Sequence, residues 1–219
     1  MLTVHHLSNS RSQRILWLLE ELGLQYELVK HMRDPVTVRS PPSLFKIHPL
    51  GKGPTIEHDG KALTESGAII DYVTRRVAGG RLAVSDSSPD FADYCFWLHY
   101  AEGSAMQPVV FDLLDGMTGY GCGEALRGFF LAEIKQSFAF MEGVLSRQEH
   151  FVNCGFTAAD INMTWVLELS EPCGHLEGHP KLTAYLRRMQ ARPAYRRAME
   201  KGGEQDLAIF RPKTAFPLT

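Results

Sequence analysis

Ile15, Leu18, Leu19 and Leu22 lie at i, i+3, i+4 and i+7, the stripe of a helix with one buried face. Gly23 follows and supplies a left-handed stop. Ahead of this helix, residues 2–7 form a short β-prone opening. After it, "QYELVK" reads as a second strand. "RDPVTVRSPPSLFKIHPLGKGP" is rich in proline and turn residues, so it predicts a long connection with at most one short helix. "TIEHDGKAL" places two short strands around Asp59-Gly60, a strong hairpin signal. "TESGAIIDYVTRRV" predicts a helix, with Thr64 or Ser66 available to cap it. The order is β-α-β-(loop/α)-β-β-α. A strand-helix-strand unit favours a parallel pair and the hairpin adds antiparallel strands, giving a small mixed sheet with helices packed on it.

The pattern then changes. "AGGRLAVSDSSPD" is rich in Gly and Ser and reads as a linker. Beyond it no strand pattern recurs. Ser88-Pro89-Asp90 reads as a helix start, continued by "FADYCFWLHYAEGSAM". A second long helix is predicted from about 124 to 145. In "FTAADINMTWVLEL", Thr157 and Asp160 have the capping-box spacing, with Asp in place of Glu or Gln. "HPKLTAYLRRMQ" and "RPAYRRAMEKG" each carry Pro near a helix start. The tail "EQDLAIFRPKTAFPLT" has no clear period. The expected division is therefore 1–78, a linker over 79–88, and an all-helical domain with a tail over 89–219.

Composition narrows the partners. Of 219 residues, 44% are hydrophobic and 22% charged, with a formal net charge of -2, which gives no reason to expect nucleic acid or an anionic membrane as partner. No run approaches the roughly 18 apolar residues of a membrane span, and the N-terminus lacks a signal-peptide pattern, so a cytoplasmic protein is expected. Cys95, Cys122, Cys154 and Cys173 show no C-x-x-C spacing and are expected to be reduced thiols. His175 and His179 are four apart near Cys173, but Gly174 and Gly178 break the helix such ligands need, so no metal site is read. His5-His6 reads as packing or edge polarity in the first strand.

Three polar stretches could carry chemistry. Ser8, Asn9, Ser10, Arg11 and Ser12 precede the first helix, whose N-terminus offers unpaired N–H groups and a partial positive charge. Ser10 and Gln13 also have the S-x-x-Q spacing of a capping box, and structural capping is the plainer reading of that spacing. Gly53-Pro54 in "PLGKGPTI" leads into a strand, where a turn suffices as explanation and a cis bond is possible. Glu65 and Ser66 open the next helix. Together they offer an acceptor for an ammonium beside donors for a carboxylate, the needs of an amino-acid-like ligand head.

The order of these stretches is more specific than any one of them. Over nearly its whole length the chain resembles the cytosolic glutathione transferases. "SRSQRILWLLEELGLQYELV", "HPLGKGPTI" and "LTESGAIIDYV" resemble the thioredoxin-like N-terminal domain, and "FTAADINMTWVL" and "HPKLTAYLRRMQARPAYRRAM" the helical C-terminal one. "SRSQRILWLLEEL" and "HYAEGS" are similar to bacterial and fungal members. The resemblance implies an α+β thioredoxin-like domain (βαβαββα) followed by an all-α helical bundle. It implies glutathione as co-substrate, no metal, and a homodimer. Glu65 and Ser66 would hold the γ-glutamyl group, the Gly53 backbone ahead of cis-Pro54 the cysteinyl portion, and Lys52 the glycine carboxylate. Glu102 could reach the γ-glutamyl group in the neighbouring subunit.

The family reaction is attack of the glutathione thiolate on an electrophile, activated by Tyr, Ser or Cys near the first helix. The first tyrosine here is Tyr26, beyond that helix, and the first cysteine is Cys95. Ser10 is thus the expected donor, with Asn9, Ser8, Arg11, Ser12 and a backbone N–H as rivals. Peroxide or disulfide reduction by the same thiolate, and non-catalytic binding of glutathione or apolar ligands, are the alternatives. The sequence does not specify the electrophile.

Overall fold

The structure, a computed structural model, describes residues 1–118 and 121–203. The tail from residue 204 on, which has no clear period, lies outside the described residues. The chain forms two compact units: Met1–Phe91 with the described residues from Met189 on, and Ala92–Arg188.

The first unit carries β1 (Thr3–Leu7), α1 (Gln13–Leu22), β2 (Glu27–His31), α2 (Pro42–Phe45), β3 (Thr55–His58), β4 (Lys61–Thr64) and α3 (Ser66–Tyr72). This is the order that the pattern predicts. The sheet runs β2-β1-β3-β4, with β1 and β2 parallel and the other pairs antiparallel. The parallel pair needs a crossover, which α1 supplies. The α1 stripe is the reason it packs: Ile15, Leu18 and Leu19 are fully buried, and Gly23 ends the helix at φ 61. Asp59 and Gly60 both have positive φ, 51 and 73, as a two-residue hairpin of the twist-matching kind requires. α3 continues into a π-helical turn, Val73–Val77.

The last described helix of the chain, which is α9 once the second unit's helices are numbered (Pro193–Gly202), packs along α1. Arg192 pairs with Glu21 at 2.6 Å and Arg197 with Glu20 at 3.0 Å. The Trp17 and Tyr195 rings meet edge to face. Gly202 sits so close to α1 that a Cβ there would lie 2.3 Å from Gln13 Oε1 and 2.9 Å from Leu16 Cδ1.

Among its described residues the second unit is built of helices and loops: α4 (Phe91–Tyr100), α5 (Met106–Thr118), α6 (Glu124–Leu145), α7 (Ala158–Ser170) and α8 (Pro180–Gln190). α4 starts at Phe91 rather than at Pro89. Ser88 Oγ accepts the Asp90 N–H at 3.2 Å, which forms a turn just ahead of the helix. A π-helical turn, Ala101–Ala105, joins α4 to α5. α7 is buried on all sides, and its predicted capping box forms. The Asp160 carboxylate accepts the Thr157 N–H at 2.8 Å. It also ties the preceding loop to the unit, accepting Phe151 N–H at 3.0 Å and the Tyr185 hydroxyl at 2.8 Å. No described helix is long and apolar enough to cross a membrane.

Candidate active site

Strand register gathers the polar stretches of the first unit at one end of the sheet. His5 pairs with Thr55 across β1 and β3, and Thr55 with Thr64 across β3 and β4. Two residues further along the first pairing, Leu7 faces Gly53, and a Cβ on Gly53 would lie 2.7 Å from Leu7 Cβ and 3.4 Å from Ser10 Oγ. Only glycine fits at that contact. The Gly53–Pro54 peptide is cis. Thr64 donates to the Pro54 carbonyl at 2.8 Å and Thr55 to the Lys52 carbonyl at 2.7 Å. These bonds hold the Lys52–Gly53–Pro54 main chain against the start of α3. Ser10 thus lies beside Gly53, Ser66 follows two residues after the Thr64 that bonds Pro54, and Lys52 is exposed.

Ser10 does not form the capping box with Gln13. The N-cap of α1 is Ser12, and it makes no side-chain cap bond. Ser10 Oγ instead donates to the Leu7 carbonyl at 2.8 Å or to Ser12 Oγ at 2.8 Å, and accepts the Ser12 N–H at 3.2 Å. The Gln13 amide turns away to Met199 Sδ. The capping pattern fails because both hydroxyls bond back to the end of β1, which a pattern of spacings does not register.

Ser12 has a further partner, His6 Nδ1, at 2.8 Å. Burial, with the Lys30 charge adding to it, pushes the His6 pKa down to about 4, so the ring is neutral near pH 7. A bond to the Gly202 main chain acts in the opposite, proton-favouring direction. The ring therefore donates to Gly202 and leaves Nδ1 to accept the Ser12 proton. Both acceptors of the Ser12 proton, His6 Nδ1 and the Leu7 carbonyl at 3.0 Å, lie inward, whereas Ser10, beside Gly53, can turn its proton outward.

The start of α3 departs from the capping expected of Thr64 or Ser66. Thr64 bonds Pro54, and the N-cap position belongs to Glu65, at φ 75 and ψ 122. A glutamate in that region costs about 1–3 kcal/mol and persists where the surroundings impose it. Glu65 is exposed. Ser66 Oγ is buried, with the residue 3% exposed, and has no hydrogen-bond partner. A buried hydroxyl left unpaired costs about 1–3 kcal/mol, so it calls for a partner from outside the chain.

Of the remaining sequence candidates, Ser8, Asn9 and Arg11 lie at the same mouth, all half-buried, with Asn9 at φ 49. One residue there escapes sequence reading. The Arg33 side chain donates to the carbonyls of Ser8 at 3.0 Å, Asn9 at 3.2 Å and Val38 at 2.8 Å. Its N–H also reaches Ser8 Oγ at 3.2 Å. Burial, and then Arg11 nearby, lower the Arg33 pKa; the two guanidinium charges make the mouth electropositive. An arginine in a proline-rich connection has no periodic signal to betray this clamp. Glu102 belongs to the second unit, in the π-helical turn Ala101–Ala105, where it is half-buried. Tyr26 donates to Glu20 at 2.9 Å, and burial together with that carboxylate raises its pKa. No group of His, Cys, Asp and Glu among the described residues could hold a metal.

The family model for the glutathione S-transferase N-terminal domain matches residues 1–75, and that for the C-terminal domain residues 131–193. Glutathione S-transferase 3 of Schizosaccharomyces pombe is 32% identical, over 96% of this chain and 91% of its own. The chain belongs to the glutathione S-transferase family. Glutathione S-transferase 1 of Saccharomyces cerevisiae is 30% identical, over 92% of this chain and 95% of its own. Among solved structures, a glutathione S-transferase of Actinobacillus pleuropneumoniae superposes with a TM-score of 0.87 at 28% identity, covering 96% of this chain and 99% of that one. The transferase fold, a thioredoxin-like domain with a mixed sheet followed by a helical domain, is thereby shared. The family's co-substrate is glutathione.

Proposed function

We propose that this glutathione transferase binds glutathione across the Ser10–Gly53–Ser66 end of the sheet and activates its thiol as a thiolate. The observation that carries the reading is the buried, unpartnered Ser66 hydroxyl beside the strained Glu65. A γ-glutamyl head supplies what both lack: its carboxylate accepts from Ser66, and its ammonium donates to Glu65. The Gly53 main chain faces the cysteinyl portion, and the exposed Lys52 the glycine carboxylate. The thiol then comes to the α1 mouth, between Ser10 and the electropositive Arg11–Arg33 edge.

The chemistry asked of the protein is modest. Lowering a thiol pKa from about 8.5 by about two units takes roughly 2.7 kcal/mol. A hydrogen bond to a charged sulfur contributes about 1.5–3 kcal/mol, and a helix N-terminus about 0.3–1. Ser10 supplies the bond by turning its proton from the Leu7 carbonyl to the sulfur, while Ser12, held by His6, stays inward. The thiol proton leaves to water. The thiolate then forms the S–C bond to the electrophile, and the leaving group departs with its electron pair. A cytoplasmic dimer, with small electrophiles as second substrate, completes the proposal.

Calorimetry on the wild type and Ser66→Ala tests the binding step. Losing one charge-assisted bond is expected to weaken glutathione binding about tenfold or more. Equal affinities would remove Ser66 from the site. A wild-type protein that fails to bind glutathione would sink the whole reading.

A further inference from the structure

The turn that leads into Ser10 is gripped by a single side chain. Arg33 Nε donates to the Ser8 carbonyl at 3.0 Å, and Arg33 Nη2 to the Asn9 carbonyl at 3.2 Å. One planar fork thus holds two successive carbonyls, a geometry that the point charge of a lysine does not reproduce. The fork is itself anchored. Its Nη1 donates to the Val38 carbonyl at 2.8 Å, and Val38 stands at φ 59, where β-branched residues are rarely found. The surrounding loop keeps it there. The Val38 N–H bonds the Asp34 carbonyl at 2.8 Å and the Asp34 N–H bonds the Arg39 carbonyl at 3.0 Å. The Asp34 carboxylate accepts the N–H groups of Val36 at 3.0 Å and Thr37 at 2.7 Å.

The grip has an effect on the far side of the peptide plane. The Asn9–Ser10 peptide is trans, and in a planar trans peptide the C=O and N–H point in opposite directions. Holding the Asn9 carbonyl on Arg33 therefore aims the Ser10 N–H away from the guanidinium. In a tight turn that N–H would bond the carbonyl three residues back, that of Leu7. Here the hydroxyls of Ser10 and Ser12 occupy the Leu7 carbonyl, at 2.8 and 3.0 Å. Among the described residues nothing accepts the Ser10 N–H, although Ser10 is only 5% exposed. Buried main-chain N–H groups are almost always paired, so this one calls for an acceptor from outside the chain. It is also a strengthened donor, because a carbonyl that accepts from a charged guanidinium polarises its own peptide.

We propose that the Ser10 N–H is a second donor to the glutathione sulfur, beside the Ser10 hydroxyl, and that Arg33 is the residue that positions it. The inference rests on the glutathione reading above and deepens it. The two donors differ in kind. The hydroxyl turns away from Leu7 before it serves, whereas the N–H is set before the ligand arrives and needs no reorganisation. Arg33 thus acts on the thiol through the peptide plane in addition to its charge.

NMR of the wild-type protein reads the donor directly. The Ser10 amide proton is expected to move downfield as the thiol of bound glutathione ionises. With S-methylglutathione bound, which has no thiol to ionise, it should stay in place over the same pH range. Arg33→Lys keeps the charge and loses the fork. It is expected to raise the bound thiol pKa by about one unit, with S-methylglutathione affinity held within about threefold. The same rise should appear when Arg33→Lys is made in Ser10→Ala, because the N–H remains after the hydroxyl is gone. A Ser10 amide that does not respond to the thiol, or a thiol pKa unchanged in Arg33→Lys, would overturn the inference. A matching loss of S-methylglutathione affinity would overturn it too, since Arg33 would then support the site as a whole. The wild-type amide decides the question if a variant fails to fold. If neither glutathione nor its S-methyl form binds the wild type, the glutathione reading itself fails and the inference with it.

Discussion

Asp160→Ala is expected to destabilise the helical unit by about 3–5 kcal/mol, the loss that accompanies breaking a buried charged network by removing one partner. The Asp160 side chain is fully buried and accepts from the main chain of Phe151 and Thr157 and from the Tyr185 hydroxyl. Each of those donors is itself buried, and each left unpaired costs about 1–3 kcal/mol. Tyr185 has no escape by ionising, because burial, the largest cause of its raised pKa, remains when Asp160 is gone. The capping of α7, the loop at Phe151 and the packing of α8 are lost together. Asp160→Asn should fall between wild type and Asp160→Ala, since one oxygen remains while the other becomes an NH₂ facing N–H donors. Urea unfolding measures the effect through the midpoint. A loss under about 1 kcal/mol would show that water replaces the carboxylate without penalty.

Ser10→Ala is expected to raise the pKa of bound glutathione's thiol by about one to two units and to slow conjugation about 10- to 100-fold near neutral pH. The size follows from one lost hydrogen bond to a charged sulfur. Ser12→Ala should move the thiol much less, because both acceptors of the Ser12 hydroxyl, His6 Nδ1 and the Leu7 carbonyl, lie inward. Thiolate absorbance of the complex reads the pKa, and initial rates with an activated aryl halide read the consequence. If Ser10→Ala leaves the thiol pKa in place, the donor is Asn9, another rival side chain or the main chain.

Much of this fold is written in short-range pattern. The α1 stripe, the Asp59-Gly60 turn and the Thr157–Asp160 box each depend on residues within one turn or one hairpin, so spacing alone reveals them. The bounds of α6 fall on the predicted residues for the same reason. The candidate site is legible only as separate stretches. Its assembly depends on register, which brings Gly53 against Leu7 and Ser10 from more than forty positions away.

What the sequence concealed is mostly competition for the same groups. Ser10 and Gln13 spell a capping box, yet the Leu7 carbonyl and Ser12 take the Ser10 hydroxyl. Thr64 spells a cap, yet Pro54 takes it. Arg33 acts on carbonyls, which carry no side-chain signal at all. His5-His6 reads as strand polarity, and only the two faces of β1 separate them, one toward Ser12 and the other toward His31.

The most direct test of the central claim is a pH titration of the thiol of glutathione bound to the wild-type protein, followed by thiolate absorbance. The account predicts an apparent pKa about two units below the roughly 8.5 of a free thiol. A bound thiol that titrates like free glutathione would contradict it.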